Sequence, residues 1–224
     1  HTRSNCDWSS DVCSSDLGTH TIEKQIVASE MRVPINHVRV TVGDTDSVPY
    51  DEGPRASRVT YTEGQAVMKA CSEIKQAIAD GVSLPHTVTV EHTAEEREDI
   101  TYFGAQVAEV YVDSETGQVE VLKLTTAHDV GTIINPMAHQ GQIEGGVVTG
   151  FGLGVTEEFV TDAGQVVNGN MADYKLPTIA DIPPLETVLI QTGGGTGPYE
   201  AKAIGELDRK SKRLNSSHSE TSYA

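Results

Sequence analysis

Residues 59–79 read VTYTEGQAVMKACSEIKQAIA, and this stretch anchors the interpretation of the fold. Apolar side chains recur at helical spacing on one side, at Val67, Cys71, Ile74 and Ile78, while charged and amide side chains occupy the other side. This pattern predicts an amphipathic helix over 59–79 that Asp80-Gly81 ends. Cys71 falls on the apolar side, so we expect it in the core.

The segments on either side of this helix predict a mixture of strands and further helices. Helices are predicted at 21–33 and 137–157, an irregular segment at 128–136, and strands at 38–42, 87–92, 102–112, 118–126 and 185–190, with short strands near 159–160 and 166–167. The elements do not alternate as β-α-β units. The predicted fold class is therefore α+β, with mixed sheets and packed helices.

Both ends of the chain are interpreted as non-native. The sequences DWSSDVCSSDL (Asp7 to Leu17) and RLNSSH (Arg213 to His218) match translations of opposite strands of one sequencing-adapter-like DNA. The expected organisation is a foreign segment at 1–17, a native fragment at 18–207 and a foreign segment at 208–224. The native part is one domain or two subdomains, of about 18–100 and 101–207. A natural serine-rich tail at each end is the alternative.

Composition limits the classes of partner. The formal net charge is −17, and no basic cluster offsets it, which argues against nucleic acid or an anionic membrane surface. No apolar run approaches the roughly 20 residues of a transmembrane helix. Of the three cysteines only Cys71 lies outside the foreign segments, so the chain cannot hold a cysteine-ligated iron–sulfur cluster. We expect a reducing, cytoplasmic compartment.

Three segments combine small residues with polar side chains, as ligand-binding turns do: 53–58, 141–146 and 202–206. The second is expected to open a helix, where free N–H groups favour an anion. None has phosphate-loop spacing, but a phosphate-binding protein remains an alternative. The six glycines of 141–154 weaken a helix, which favours either close contact with a cofactor or tight packing in a core.

Ordered blocks across the chain resemble one enzyme family. These are Gly43-Asp44-Thr45-Asp46 with Ala56-Ser57-Arg58, His128-Asp129-Val130-Gly131 with Asn135-Pro136, Gly141-Gln142-Ile143-Glu144-Gly145, Asp173-Tyr174-Lys175-Leu176-Pro177, and Lys202-Ala203-Ile204-Gly205-Glu206. The chain thereby resembles the molybdopterin-binding large subunit of the xanthine dehydrogenase, aldehyde oxidase and carbon monoxide dehydrogenase family.

The resemblance implies a molybdenum–pterin cofactor, as molybdopterin or its dinucleotide, and it implies roles for particular residues. Glu206 corresponds to the active-site base, although an ordinary helix-start carboxylate is the alternative. The residues implied in cofactor binding are Gln142, Ala56, Ser57, Arg58, Thr60, Gly141 and Lys202. No protein side chain is expected to ligate a metal, since His128 and His139 lack a third ligand at suitable spacing.

The implied activity is oxidation of a small organic substrate, of aldehyde, purine or N-heterocycle type, with oxygen derived from water. Iron–sulfur clusters and FAD are expected on other domains or subunits, in an oligomer of heteromers. The fragment alone is expected to be inactive. The alternative is a non-catalytic binding or assembly module that shares the fold. The blocks do not select a substrate.

Overall fold

The structure is a computed structural model that describes residues 6–10 (backbone only), 18–42, 46, 57, 59–90 and 103–205. The chain divides into two compact units. The first comprises 1–102, 130–136 and 191–203, and the second comprises 103–129, 137–190 and 204–224. Helices and small mixed sheets are both present, which confirms the α+β class. Among the described helices, none has the combination of length and hydropathy that crossing a bilayer requires.

The first unit contains two strands and two helices. In chain order these are β1 (Cys6–Ser10), α1 (Thr19–Met31), β2 (Val38–Val42) and α2 (Val59–Ala79), with 3-10 turns at Ile35–His37 and Pro198–Glu200. β1 runs parallel to β2, and Cys6 is paired with Val38. β1 lies in the segment interpreted as foreign, but a β-ladder uses backbone groups and does not depend on native side chains.

The helices of the first unit end where their sequences predict. Arg32 adopts a left-handed φ of 53°, and its N–H donates to the carbonyl oxygens of Ala28 and Ser29, just before Pro34. α2 has the predicted bounds, and Gly81, at φ 77°, follows it. The core between the elements consists of Ile26, Val27, Val38, Val67 and Cys71. Cys71 is 2% exposed, so its predicted core position is confirmed.

The second unit is built on a three-stranded sheet in the order β3-β4-β7. Its strands are β3 (Gly104–Val112), β4 (Val119–Asp129) and β7 (Leu185–Ile190). β3 and β4 form the predicted antiparallel hairpin, whose turn is held by Asp113 Oδ1 accepting from the N–H groups of Glu115 and Thr116. These bonds lower the pKa of Asp113. β4 and β7 are parallel.

Helix α3 (Pro136–Phe151) follows β4 in the chain and runs into a π-helical turn at Gly152–Thr156. The short strands β5 (Thr161–Asp162) and β6 (Gln165–Val166) form the predicted hairpin with a small shift. Asn168 stabilises this hairpin, because its side-chain oxygen accepts a hydrogen bond from Val160 N–H and its side-chain nitrogen donates one to the Glu158 carbonyl.

Two predictions about elements are wrong. His128 and Asp129 were expected in an irregular segment, but they complete β4, where Asp129 N–H donates to the Phe103 carbonyl and β7 pairs on the other side. Residues 87–90 were expected to begin a strand, but they have no strand assignment and no described strand pairs with them. An alternating sequence alone does not make a strand when a hydrogen-bonding neighbour is lacking.

Candidate cofactor-binding site

Gln142 lies on the exposed side of α3, in the second unit. Its Nε2 donates to the carbonyl oxygen of Gly205 at 3.1 Å. The contact joins two of the sequence blocks, since Gly205 belongs to the block that ends in Glu206. Glu206 itself lies outside the described residues, as do Ala56 and Arg58. The structure therefore brings Gln142 to the residue that precedes the candidate base.

The glycines of α3 provide an open backbone surface, but not at a helix start. α3 begins at Pro136, so Gly141 lies more than one turn inside the helix. The expectation that Gly141 opens a helix with free N–H groups is therefore wrong, because proline occupies the first turn, where its missing N–H costs nothing. An added Cβ at Gly141 or Gly145 would meet nothing within 4 Å. A ligand can approach the helix backbone at both positions.

Ser57 has the features of a ligand-binding residue in the first unit. Its backbone is left-handed, with φ at 55°, and no described residue offers a hydrogen bond to its buried Oγ. A buried hydroxyl without a partner costs about 1–3 kcal/mol, so a native structure retains one for a reason. Thr60 lies half-buried in the first turn of α2.

Thr196 was not among the predicted site residues. Its Oγ1 is buried and receives no hydrogen bond in the described part of the chain, and its carbonyl oxygen accepts from Gln65 Nε2 at 2.6 Å. The threonine stands inside the glycine-rich run 193–197, where it is the only residue with a hydrogen-bonding side chain. A single hydroxyl side chain among glycines was the signal in the sequence that could have identified Thr196 as a candidate site residue.

Lys202 is fixed by backbone and side chain within the first unit. Its N–H donates to the Val130 carbonyl at 3.1 Å, and its Nζ donates to Thr192 Oγ1 at 3.2 Å. Gly131, at φ 62°, allows this approach, because a Cβ there would lie 2.3 Å from the Glu200 carbonyl oxygen and 3.0 Å from Lys202 Cγ. The block His128 to Gly131 thus supports the block that begins at Lys202.

Tyr174, from the fourth sequence block, has a structural contact in the second unit. Its hydroxyl donates to Glu157 Oε2 at 2.6 Å, and this bond raises the pKa of Tyr174. The other Glu157 oxygen occupies the space where a Cβ on Gly152 would lie. The tyrosine therefore stabilises the π-helical turn that ends α3.

Comparison with known proteins identifies the family. The family model described as a molybdopterin cofactor-binding domain matches residues 12–96 and 78–183, more than half of the chain. The chain belongs to this family.

Relatives of known name agree with this membership. The xanthine dehydrogenase molybdenum-binding subunit of Escherichia coli O157:H7 is 30% identical over 234 residues, which cover 84% of the chain and 31% of that protein. The aldehyde oxidoreductase molybdenum-binding subunit PaoC of Escherichia coli K12 is 28% identical over 231 residues, covering 88% and 31%. The crystal structure of a Cu,Mo-CO dehydrogenase superposes with a TM-score of 0.77 at 26% identity, covering 89% and 31%.

The chain therefore spans about a third of the length of these two curated relatives.

Each unit, taken by itself, contains residues whose chemistry fits a molybdopterin-type cofactor. Molybdopterin carries the ring nitrogens and ring carbonyl of a pterin and a phosphate on its side chain, all of which require hydrogen-bonding groups. The first unit provides the buried hydroxyls of Ser57 and Thr196. The second provides the Gln142 amide beside the open backbone of Gly141 and Gly145. Within the described residues, no group of three His, Cys, Asp or Glu side chains is placed to hold a separate metal ion.

Proposed function

We propose that this chain is the cofactor-binding part of a molybdenum hydroxylase, which oxidises a small organic substrate of aldehyde, purine or N-heterocycle type with oxygen from water. The supporting observation is the 3.1 Å hydrogen bond from Gln142 to Gly205, since it connects the glutamine of one family block to the end of another. Relatives named as a xanthine dehydrogenase and an aldehyde oxidoreductase agree with this range of substrates.

Each unit has its own candidate cofactor-binding residues. Gln142 uses one amide hydrogen for Gly205, which leaves its second amide hydrogen and its oxygen for the pterin. Ser57 offers a hydroxyl without a described partner. Gly141 contributes open backbone, and Thr60 and Lys202 lie beside the segments that bind. Ala56 and Arg58 flank Ser57 and complete the set. When bound, the molybdenum–pterin group supplies the two-electron redox chemistry.

Glu206 is the base in this proposal. It directly follows Gly205, whose carbonyl oxygen is held by Gln142. A carboxylate within hydrogen-bond reach of the attacking water-derived oxygen accepts a proton as the new C–O bond forms. A general base of this kind is worth about 10²–10⁴ in rate. Holding Gly205 restricts the backbone from which the Glu206 side chain extends.

The electron acceptors lie on other polypeptides or domains in the proposed enzyme. Cys71 is buried in the core of the first unit, so it cannot ligate an iron–sulfur cluster. The relatives' names describe a molybdenum-binding subunit and a large chain, which are parts of larger assemblies. We therefore propose iron–sulfur and flavin partners in an oligomer of heteromers, located in the cytoplasm.

The test is the substitution Glu206→Gln in the full-length large subunit, purified with its partner subunits. The amide keeps the size of the side chain but cannot accept the proton, so turnover falls by about 10²-fold or more while molybdenum content stays unchanged. Glu120→Gln is the matched control, because Glu120 is an exposed carboxylate on β4. It should leave both values at the wild-type level.

The same variants distinguish the alternative function. A non-catalytic binding or assembly module would bind its partner equally well with either substitution and would show no oxidation of aldehydes or purines before substitution. Full turnover by Glu206→Gln, with molybdenum retained, would remove Glu206 from the mechanism.

A further inference from the structure

Two consecutive residues other than glycine adopt left-handed backbone just before the Lys202 segment. Tyr199 has φ 56° and ψ 27°, and Glu200 has φ 67°. Side chains on L-residues clash with the backbone in this region, so such a pair persists only where the surroundings hold it.

Backbone contacts with Thr132, Gly195 and Gly197 hold one side of this turn. Gly197 N–H donates to the Ala201 carbonyl at 3.1 Å, and Thr132 N–H donates to the Glu200 carbonyl at 3.4 Å. A Cβ on Gly195 would lie 2.1 Å from the Glu200 carbonyl oxygen, so glycine is needed for the close approach. Ala201, 4% exposed, then pairs with Gly131 in a β-bridge.

The two helices hold the other side through the side chain of Tyr199. Its ring packs against the core of the first unit, and its hydroxyl donates to Glu30 Oε1, on α1, at 2.9 Å. Lys75, on α2, donates to the second oxygen of Glu30 at 2.5 Å. This chain of contacts, Lys75 to Glu30 to Tyr199, is called the tyrosine anchor below.

The charges within the tyrosine anchor favour the hydrogen bond. The bond from Lys75 lowers the pKa of Glu30 against the opposing effect of burial, so Glu30 is ionised and a strong acceptor. Burial raises the pKa of Tyr199, a hydrogen bond with the Ser29 side chain lowers it, and the bond to Glu30 raises it. The net shift is upward, so the hydroxyl keeps the proton that it donates to Glu30.

We propose that Tyr199 is a positioning residue: through the tyrosine anchor it fixes the left-handed turn and hence the path of the chain into Lys202. Ala201 and Lys202 follow the turn immediately, and the Lys202 N–H bond to Val130 depends on that path. The role of Tyr199 in catalysis rests on the proposed function, since the candidate base Glu206 lies four residues after Lys202. The role of Tyr199 in fixing the turn is independent of the proposed function.

The first experiment measures hydrogen exchange on this chain with Tyr199→Phe, which removes only the hydroxyl. Loss of a hydrogen bond to a charged acceptor should speed exchange of the amides of 197–202 by about tenfold or more. The amides of Ile26 and Val27 should be unchanged. Tyr111→Phe, on an exposed position of β3, is the control and should alter neither.

A second pair of variants tests the anchor without changing Tyr199. Lys75→Met should speed exchange at 197–202, and Lys75→Arg, which keeps the charge and the donor, should restore it. Unchanged exchange at 197–202 in Tyr199→Phe would overturn the proposal. Faster exchange at Ile26 and Val27 by the same factor would also overturn it, because the tyrosine would then contribute only to general stability.

The catalytic consequence is measured in the full-length enzyme with its partner subunits. Tyr199→Phe should lower kcat about tenfold while KM and molybdenum content stay near wild type, because a displaced base slows the reaction step without weakening binding. An unchanged kcat, with Glu206→Gln still inactive, would reject the positioning role and leave the proposed function intact. An active Glu206→Gln would reject the proposed function, and the exchange result would still decide whether the anchor fixes the turn.

Discussion

The substitution Gly64→Ala tests how closely α2 packs against the 3-10 turn at Pro198. An ideal Cβ at Gly64 would lie 2.5 Å from Pro198 Cγ, 3.2 Å from Pro198 Cδ and 3.3 Å from Ile26 Cδ1. Carbon atoms pack at about 3.5–4.0 Å, so a methyl group has no room unless a rigid proline ring moves. Overpacking of this kind costs about 1–3 kcal/mol.

Helix propensity opposes this cost. Alanine is favoured over glycine in a helix interior by roughly 1 kcal/mol. Because the 2.5 Å contact is with a rigid ring, we expect the overpacking cost in the upper part of its range, about 2–3 kcal/mol. Gly64→Ala should therefore lower the free energy of unfolding of the first unit by about 1–2 kcal/mol, or roughly 5–30-fold in the equilibrium constant.

The assay is hydrogen exchange at increasing urea concentration, read separately on peptides from α2 and α3, since the two units need not unfold together. Gly145→Ala is the control, because its Cβ would meet nothing within 4 Å. It should stabilise α3 by about 1 kcal/mol or less. If Gly64→Ala leaves α2 equally or more protected, the close packing of α2 on Pro198 is refuted.

Four further outcomes follow from individual contacts. Asn168→Ala removes two hydrogen bonds to Val160 and Glu158 and should destabilise the second unit by about 1–3 kcal/mol in urea titrations; an unchanged midpoint would show that water replaces them. Glu200→Gly should stabilise the first unit by about 0.5–1 kcal/mol, because relief of left-handed strain exceeds the entropy cost of glycine. Lower stability would show that the Glu200 carboxylate, which lies beside Gly193, contributes more than the strain costs. The hydrogen bond of the Lys123–Glu186 pair lowers the pKa of Glu186 and raises the pKa of Lys123. The pair should therefore contribute constant stability between the ordinary pKa values of 4.5 and 10.5, and should lose it as pH falls through the lowered glutamate pKa or rises through the raised lysine pKa. A double-mutant cycle at several pH values measures this contribution, and a contribution that persists at the acid end would contradict the prediction. The 224-residue chain expressed alone should retain no molybdenum by metal analysis, and stoichiometric metal would show that these residues suffice to bind the cofactor.

Local elements could be predicted from the sequence where the hydrophobic pattern agreed with the residues that end helices or form turns. The bounds of α2 follow from an uninterrupted apolar side and from Gly81, and the β3–β4 hairpin follows from Asp113 and Gly117. The extension of β4 through His128 and Asp129 could not be predicted, because it depends on Gly104 of β3, which pairs with His128, and on β7, which pairs with both residues and lies more than fifty residues later. Long-range pairing leaves no local signal.

The candidate site was predictable by residue type more than by arrangement. Gln142 and Ser57 were identified from sequence blocks, but neither the Gln142 contact with Gly205 nor the buried state of the Ser57 hydroxyl is encoded in those blocks alone. The tyrosine anchor was missed because Glu30, Lys75 and Tyr199 are spread over the chain, and each is an ordinary surface residue type. Only packing of the two helices brings them together.

The glycines of this chain show why composition could not decide between a phosphate-binding protein and a pterin site. A phosphate loop needs glycine N–H groups turned toward the anion. In the run 193–197 the Gly197 N–H is instead used by the Ala201 carbonyl, and the space beside Gly195 is filled by the Glu200 carbonyl. Those glycines let the chain fold back on itself. Gly141 and Gly145, which also have open space beside them, lie inside a helix whose N–H groups are engaged along the axis. Gly141 and Gly145 therefore let a ligand approach the helix backbone closely but supply no free N–H donor. The hydrogen-bond donor beside them is the side-chain amide of Gln142. A flat heterocycle that contacts backbone carbons and takes hydrogen bonds from an amide matches that surface better than a bare phosphate does.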